Sequence, residues 1–181
     1  MPGAPASMRQ RALMWLAQRE HSRKELHDKL LRWVQALEAG RAGAPASHAS
    51  WPEVGQIAAV LDDLEAAGHL SDARAVASRI HVRSPRFGNL RIERELQRLG
   101  VAADAQARSD LRRSELQRAR GVWARKFGRP AASAAERARQ MRFLAGRGFT
   151  ADTIRAVLSG TPADEDSPVD ESRCGPRPCD E

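Results

Sequence analysis

Almost every stretch of this chain draws on Ala, Leu, Arg, Glu and Gln, and few stretches show the β-branched or aromatic alternation that marks a strand. An all-α body follows, and its helices carry their own punctuation. Ser22-x-x-Glu25, Ser50-x-x-Glu53 and Ser133-x-x-Glu136 fit the capping box, in which hydroxyl and carboxylate satisfy orphaned backbone N–H groups, and each opens a helix. Gly40, Gly68, Gly100, Gly128 and Gly160 fall where a left-handed residue closes one. About nine short segments result: 8–19, 22–37, 53–67, 72–84, 89–99, 102–111, 114–127, 133–145 and 151–159.

Within them apolar residues recur at helical spacing: Leu26, Leu30, Trp33 and Leu37; Ile57, Leu61 and Leu64; Ile92, Leu96 and Leu99; Leu116, Trp123 and Phe127. Each helix therefore has one face to bury. A weak internal repeat appears when Glu95-Leu96-x-x-Leu99-Gly100-Val101 is laid on Phe143-Leu144-x-x-Arg147-Gly148-Phe149, with a looser copy beginning at Glu25-Leu26. No single unit of three short helices encloses its own apolar face, so three tandem units of about three helices each would stack as an extended array, with a single compact bundle as the alternative. The boundaries expected are a disordered 1–7, a first three-helix repeat over 8–67 with a long Ala- and Gly-rich loop at 39–52, a second over 72–111, a third over 114–160, and an acidic disordered tail over 161–181.

Charge narrows the partners. Of 30 basic residues only Lys24, Lys29 and Lys126 are lysines, and the guanidinium fork of the other 27 suits bidentate contact with phosphates and carboxylates. Residues 161–181 hold seven acids against Arg173 and Arg177, a net of −5, so residues 1–160 carry +12 of the overall +7. Such a body suits a polyanion or an acidic protein groove. No apolar run approaches the roughly 20 residues of a membrane span and the start lacks a signal peptide's regions, which together predict a soluble, cytoplasmic protein. In a reducing cytosol Cys174 and Cys179 then read as free thiols.

Catalytic and cofactor signatures are missing from the sequence. No lysine follows a glycine as a phosphate loop requires, the five histidines have no zinc spacing, and no serine sits in a nucleophile elbow. Gly146-x-Gly148-x-x-Ala151 joins two helical segments instead of following a strand, so it reads as a helix-terminating turn rather than a dinucleotide loop. The expectation is a non-enzyme with no cofactor and no metal. The informative constellation is basic: Arg79, Arg83 and Arg86 form one stripe and Arg91, Arg94 and Arg98 another, on either side of the turn Ser84-Pro85-Arg86-Phe87-Gly88. Arg118, Arg125 and Arg129 add a third beside Lys126. A solvated helical face would alternate signs, and here only Glu93 and Glu95 intervene. Trp15, Trp33, Trp123, Phe127 and Phe143 read as core, leaving Trp51 and Phe87 as contact aromatics.

Several segments taken together, in order and spacing, resemble the RecX family of bacterial modulators of the RecA recombinase. They are His21-Ser22-x-x-Glu25-Leu26-x-x-Lys29-Leu30, Val60-Leu61-x-x-Leu64-x-x-x-Gly68-His69-Leu70-Ser71-Asp72, Arg91-Ile92-x-x-Glu95-Leu96-x-x-x-Gly100, Ala124-Arg125-Lys126-Phe127-Gly128 and Arg142-Phe143-Leu144-x-x-Arg147-Gly148-Phe149. The resemblance implies an all-α fold of three tandem three-helix repeats in an elongated, curved array that lies in the groove of the RecA–DNA filament and damps ATP hydrolysis, strand exchange and co-protease activity; a monomer is expected. Departures from the family pattern are His69 and Ala75, where aromatics are usual, and Ala107-x-x-Asp110-Leu111, a degraded copy of the apolar pattern in the third helix of the middle repeat. The alternative reading is a basic DNA-binding protein in which segments four and five act as a helix–turn–helix.

Overall fold

The structure, a computed structural model, describes residues 7–40 and 53–159. Within them the chain forms eight α-helices and no strand: α1 (Met8–Leu16), α2 (Arg23–Gly40), α3 (Ile57–Ala66), α4 (Asp72–Arg83), α5 (Asn89–Arg98), α6 (Ala105–Lys126), α7 (Ala134–Gly146) and α8 (Ala151–Ser159), with a 3-10 turn (Val54–Gln56) leading into α3. The predicted box at Ser50 and most of the predicted loop lie outside the described residues, as does the acidic tail. Ser7, expected within a disordered start, instead caps α1: its Oγ accepts from Gln10 N at 3.2 Å while its own N–H donates to Gln10 Oε1 at 3.0 Å.

Ser22 and Ser133 cap α2 and α7 as read, each accepting from the N–H three residues on. Their glutamates act differently from the reciprocal pattern. Glu25 binds Arg19, and Glu136 accepts from Ala132 N. Ser71 and Asp104 cap α4 and α6. At Gly68, Gly100 and Gly148, φ is +72°, +72° and +81°, and the residue after each glycine donates back five positions, to Leu64, Leu96 and Leu144. The internal repeat is thus a repeated helix ending followed by the start of the next helix.

Segments six and seven are one helix, not two, which makes eight α-helices where nine short segments were expected. Ser114 resembles the cap of a new helix, but its Oγ donates at 2.8 Å to Asp110 O in the preceding turn, so the backbone runs on through it.

Buried apolar side chains form three clusters. Leu26, Leu30, Val34, Ile57, Leu61 and Leu64 join Met8 and Ala12 across α1–α3, with Trp15 and Trp33 packed at the edge. Val76, Ile92, Leu96 and Leu111 bind α4 and α5 to the first half of α6. Ala119, Val122, Leu144, Phe149, Ile154 and Val157 bind the second half of α6 to α7 and α8. One uninterrupted helix therefore contributes to two cores. Burying these side chains is what holds each trio, since helices this short are marginal alone.

Candidate functional site

The turn at 84–88 is held in place from several sides. Arg118 spends all five guanidinium N–H groups on it and its surroundings: Ser84 O (3.2 Å), Phe87 O (2.7 Å), Asn89 Oδ1 (2.6 Å), Leu111 O (2.9 Å) and Ser114 Oγ (3.2 Å). Burial pushes its pKa down, with nearby Glu115 acting the opposite way. Arg118, a candidate partner contact in the sequence, has no donor left for one and serves to hold the turn. One helical turn away the buried Glu115 carboxylate accepts from Asn89 N (2.9 Å), Thr150 Oγ1 (2.9 Å) and Thr153 Oγ1 (3.1 Å).

Backbone completes the joint. Gly88 N donates to Arg147 O at 3.0 Å and Leu90 N to Gly148 O at 3.1 Å. So close an approach needs glycine on both sides: a Cβ on Gly88 would stand 2.2 Å from Gly148 O, and one on Gly148 2.5 Å from Arg91 Cβ.

Two clefts flank this joint. The first, of about 390 Å³, is lined by Arg79, Arg83, Arg91, Arg98, Leu99 and Glu95. Glu95 is only 8% exposed and sets the arginines in place, with Arg83 Nε 2.7 Å from Oε2 and Arg91 Nε 3.5 Å from Oε1. The second, of about 410 Å³, has Phe87, Val122 and Phe143 with Arg86, Arg125, Lys126 and Arg147. Phe87 links the two: the guanidinium carbons of Arg91, Arg83 and Arg147 stand 4.1, 5.3 and 6.0 Å from its ring centroid.

The sequence-predicted residues therefore divide. Arg79, Arg83, Arg91 and Arg98 converge as two facing stripes; α4 ends at Arg83, so Arg86 leaves its stripe and joins Arg125 and Lys126 in the second cleft. Arg94 is exposed and lines neither. Arg129 lines a third hollow with Lys126, Glu136 and Arg139. Phe87 is half-buried among arginines, while Trp51 lies outside the described residues. The reading missed Arg147, whose signal was a charge in the position where the earlier repeat copy has Leu99. Glu115 and Asn89 carried no sequence signal. In a helix–turn–helix reader the start of the second helix faces the groove, but here Gly88 and Asn89 are buried against the third cluster's helices.

Among the described residues no group of His, Cys, Asp and Glu is arranged to hold a metal ion, and no helix is long and apolar enough to cross a membrane. Fold and site define an all-helical protein built of three-helix units, with one basic cleft between α4 and α5 and a second beside it at the joint of the second and third units.

The family model described as "RecX, third three-helix domain" matches residues 114–158. A "Regulatory protein RecX" from Leptothrix cholodnii is 50% identical over 154 residues, covering 84% of this chain and 87% of that protein. One from Ralstonia nicotianae is 39% identical over 174 residues, covering 93% and 99%. The crystal structure of RecX from Lactobacillus salivarius shares the fold, with a TM-score of 0.57 at 17% identity over 84% of this chain and 92% of that one. The chain belongs to the RecX family of regulatory proteins.

Proposed function

We propose that the chain modulates the RecA recombinase, lying in the groove of the RecA–DNA filament and damping ATP hydrolysis, strand exchange and co-protease activity. The observation that carries this reading is the pair of clefts: eight cations, Arg79, Arg83, Arg91, Arg98, Arg86, Arg125, Lys126 and Arg147, line them with Glu95 as the one carboxylate, and three of the eight stand over the Phe87 ring. Such a surface complements an acidic protein groove and the phosphates running along it. On this reading the protein acts as a cytoplasmic monomer with no cofactor, and its effect comes from occupancy of the groove, not from chemistry.

The test is the DNA-dependent ATP turnover of RecA titrated with the parent chain and with the triple variant R79A, R91A, R98A. We expect suppression to require at least fivefold more of the variant while its thermal melt still reports a cooperatively folded protein, because Glu95 keeps Arg83 as a partner when Arg91 is lost. R79E with R98E is expected to do more harm, since it sets like charges against an acidic partner. Suppression at the same concentration by a folded triple variant would overturn the assignment of the surface. Absence of any suppression by the parent chain would overturn the function.

A further inference from the structure

We propose that the second cleft is also the docking site of this chain's own acidic segment, residues 164–171, so that the protein carries a competitor for the cleft's external partner. Three observations converge. First, the cleft's cations Arg86, Arg125, Lys126 and Arg147 form no ion pair among the described residues, whereas Arg83 and Arg91 of the neighbouring cleft share Glu95. Opposite charge is the obvious missing complement.

Second, the acidic segment has matching chemistry. Asp164, Glu165, Asp166, Asp170 and Glu171 occur with no basic residue between 160 and 172, and Val169 stands between the two acidic groups. The cleft offers a cationic rim around the apolar side chains of Val122, Phe87 and Phe143. Carboxylates on the rim and Val169 on the apolar floor is the arrangement this pattern fits.

Third, the chain is long enough. The last described helix, α8, ends at Ser159 and packs on α6 and α7, the helices that carry Arg125 and Lys126 and lead directly into Arg147. A nine-residue helix is about 13 Å long. At about 3.3 Å per residue, residues 160–163 reach about 13 Å, the length of α8, and Val169 can lie up to about 33 Å from Ser159. Tethering gives the segment an effective concentration on the order of millimolar, so individually weak pairs suffice to occupy the cleft.

The test uses the full chain and a full-length variant, D164N with E165Q, D166N, D170N and E171Q, and contains no recombinase, so its outcome is separate from that of the proposed function. The Nε–Hε resonances of Arg86, Arg125 and Arg147 are recorded for both proteins at 50 and 500 mM NaCl. Docking predicts signals that differ at low salt and converge at high salt, and the double variant R125E, R147E in the parent chain should remove the difference at Arg86. In parallel, fluorescence anisotropy with a labelled heparin hexasaccharide should show the neutralised variant binding at least fivefold tighter at 50 mM NaCl. Coincident arginine signals at low salt would overturn the proposal. Tighter heparin binding with unmoved arginine signals would overturn it too, because the acids would then act through net charge alone.

Discussion

Glu115 is a carboxylate enclosed by donors from three directions: the N–H of Asn89 at the start of α5 and the hydroxyls of Thr150 and Thr153 at the start of α8. Removing it strands the Asn89 N–H and leaves the two hydroxyls only each other, 2.9 Å apart. E115A is expected to lower stability by about 2–4 kcal/mol, and E115Q by less, because the amide oxygen keeps an acceptor. Chemical unfolding with both variants checks this, and equal stability of E115A and the parent would refute it. His21 offers a second residue-scale test. Its ring is 1% exposed, and burial, aided by Arg19, pulls its pKa below the usual 6.5 despite Glu25 Oε2 lying 3.1 Å away. A depressed folded pKa means the native state favours the neutral ring. The stabilising contribution is full above pH 6.5 and is lost as pH falls from there through the lower folded value. The melting temperature should decline between pH 7 and 5, and H21N should flatten that decline.

At the scale of elements, the meeting of the 84–88 turn with the end of α7 is the least tolerant part of the fold. G88A introduces no backbone strain, since φ at Gly88 is −80°, but its Cβ would stand 2.2 Å from Gly148 O, and the two backbones must part. G68A is the control: φ is +72° there with nothing within 4 Å of an added Cβ, so only conformational strain of about 1 kcal/mol is incurred. Thermal melts should show G88A much the more destabilised, and equal losses would mean that the close approach does not matter. The continuity of α6 matters at the same scale. By placing Leu111 in one core and Ala119 and Val122 in the next, it makes the second and third trios share a rigid element.

For the whole molecule, the two inter-unit joints differ in kind. Between the first and second trios the contacts are polar and mostly exposed: Ser22 Oγ to Leu99 O (2.7 Å), Arg23 N to Asp72 Oδ1 (2.7 Å) and Arg74 Nε to Glu20 Oε1 (2.9 Å). Between the second and third, a shared helix, a buried carboxylate and two backbone hydrogen bonds hold the clefts in register. The first joint should therefore open more readily. In native-state hydrogen exchange the Arg23 amide is expected to exchange faster than those of Gly88 and Leu90, with the gap widening as salt screens the first joint's ion pair. The reverse order would show the basic joint to be the weak one.

Local chemistry was legible in the sequence because it is written locally. Helix type follows from propensity, the starts at Ser22 and Ser133 from hydroxyls that reach only three residues on, the stops at Gly68 and Gly100 from a left-handed φ that glycine alone adopts cheaply, and the Leu26, Leu30 and Ile57, Leu61, Leu64 faces from a 3.6-residue period. The convergence of Arg79 and Arg83 with Arg91 and Arg98 was also readable, since a short turn returns the second helix beside the first. What no local rule decided was the continuity of α6, where the Ser114 hydroxyl had two acceptable partners and packing against two cores selected one. Nor did spacing distinguish Arg118 from Arg125, separated by two helical turns on the same helix. Only the fold determines that one guanidinium meets three carbonyls, an amide and a hydroxyl while the other donates to Pro85 O at an open cleft. Contacts between residues 26 to 61 positions apart, such as Asn89 with Glu115 and Arg86 with Arg147, depend on how the trios stack, and that is set by tertiary packing alone.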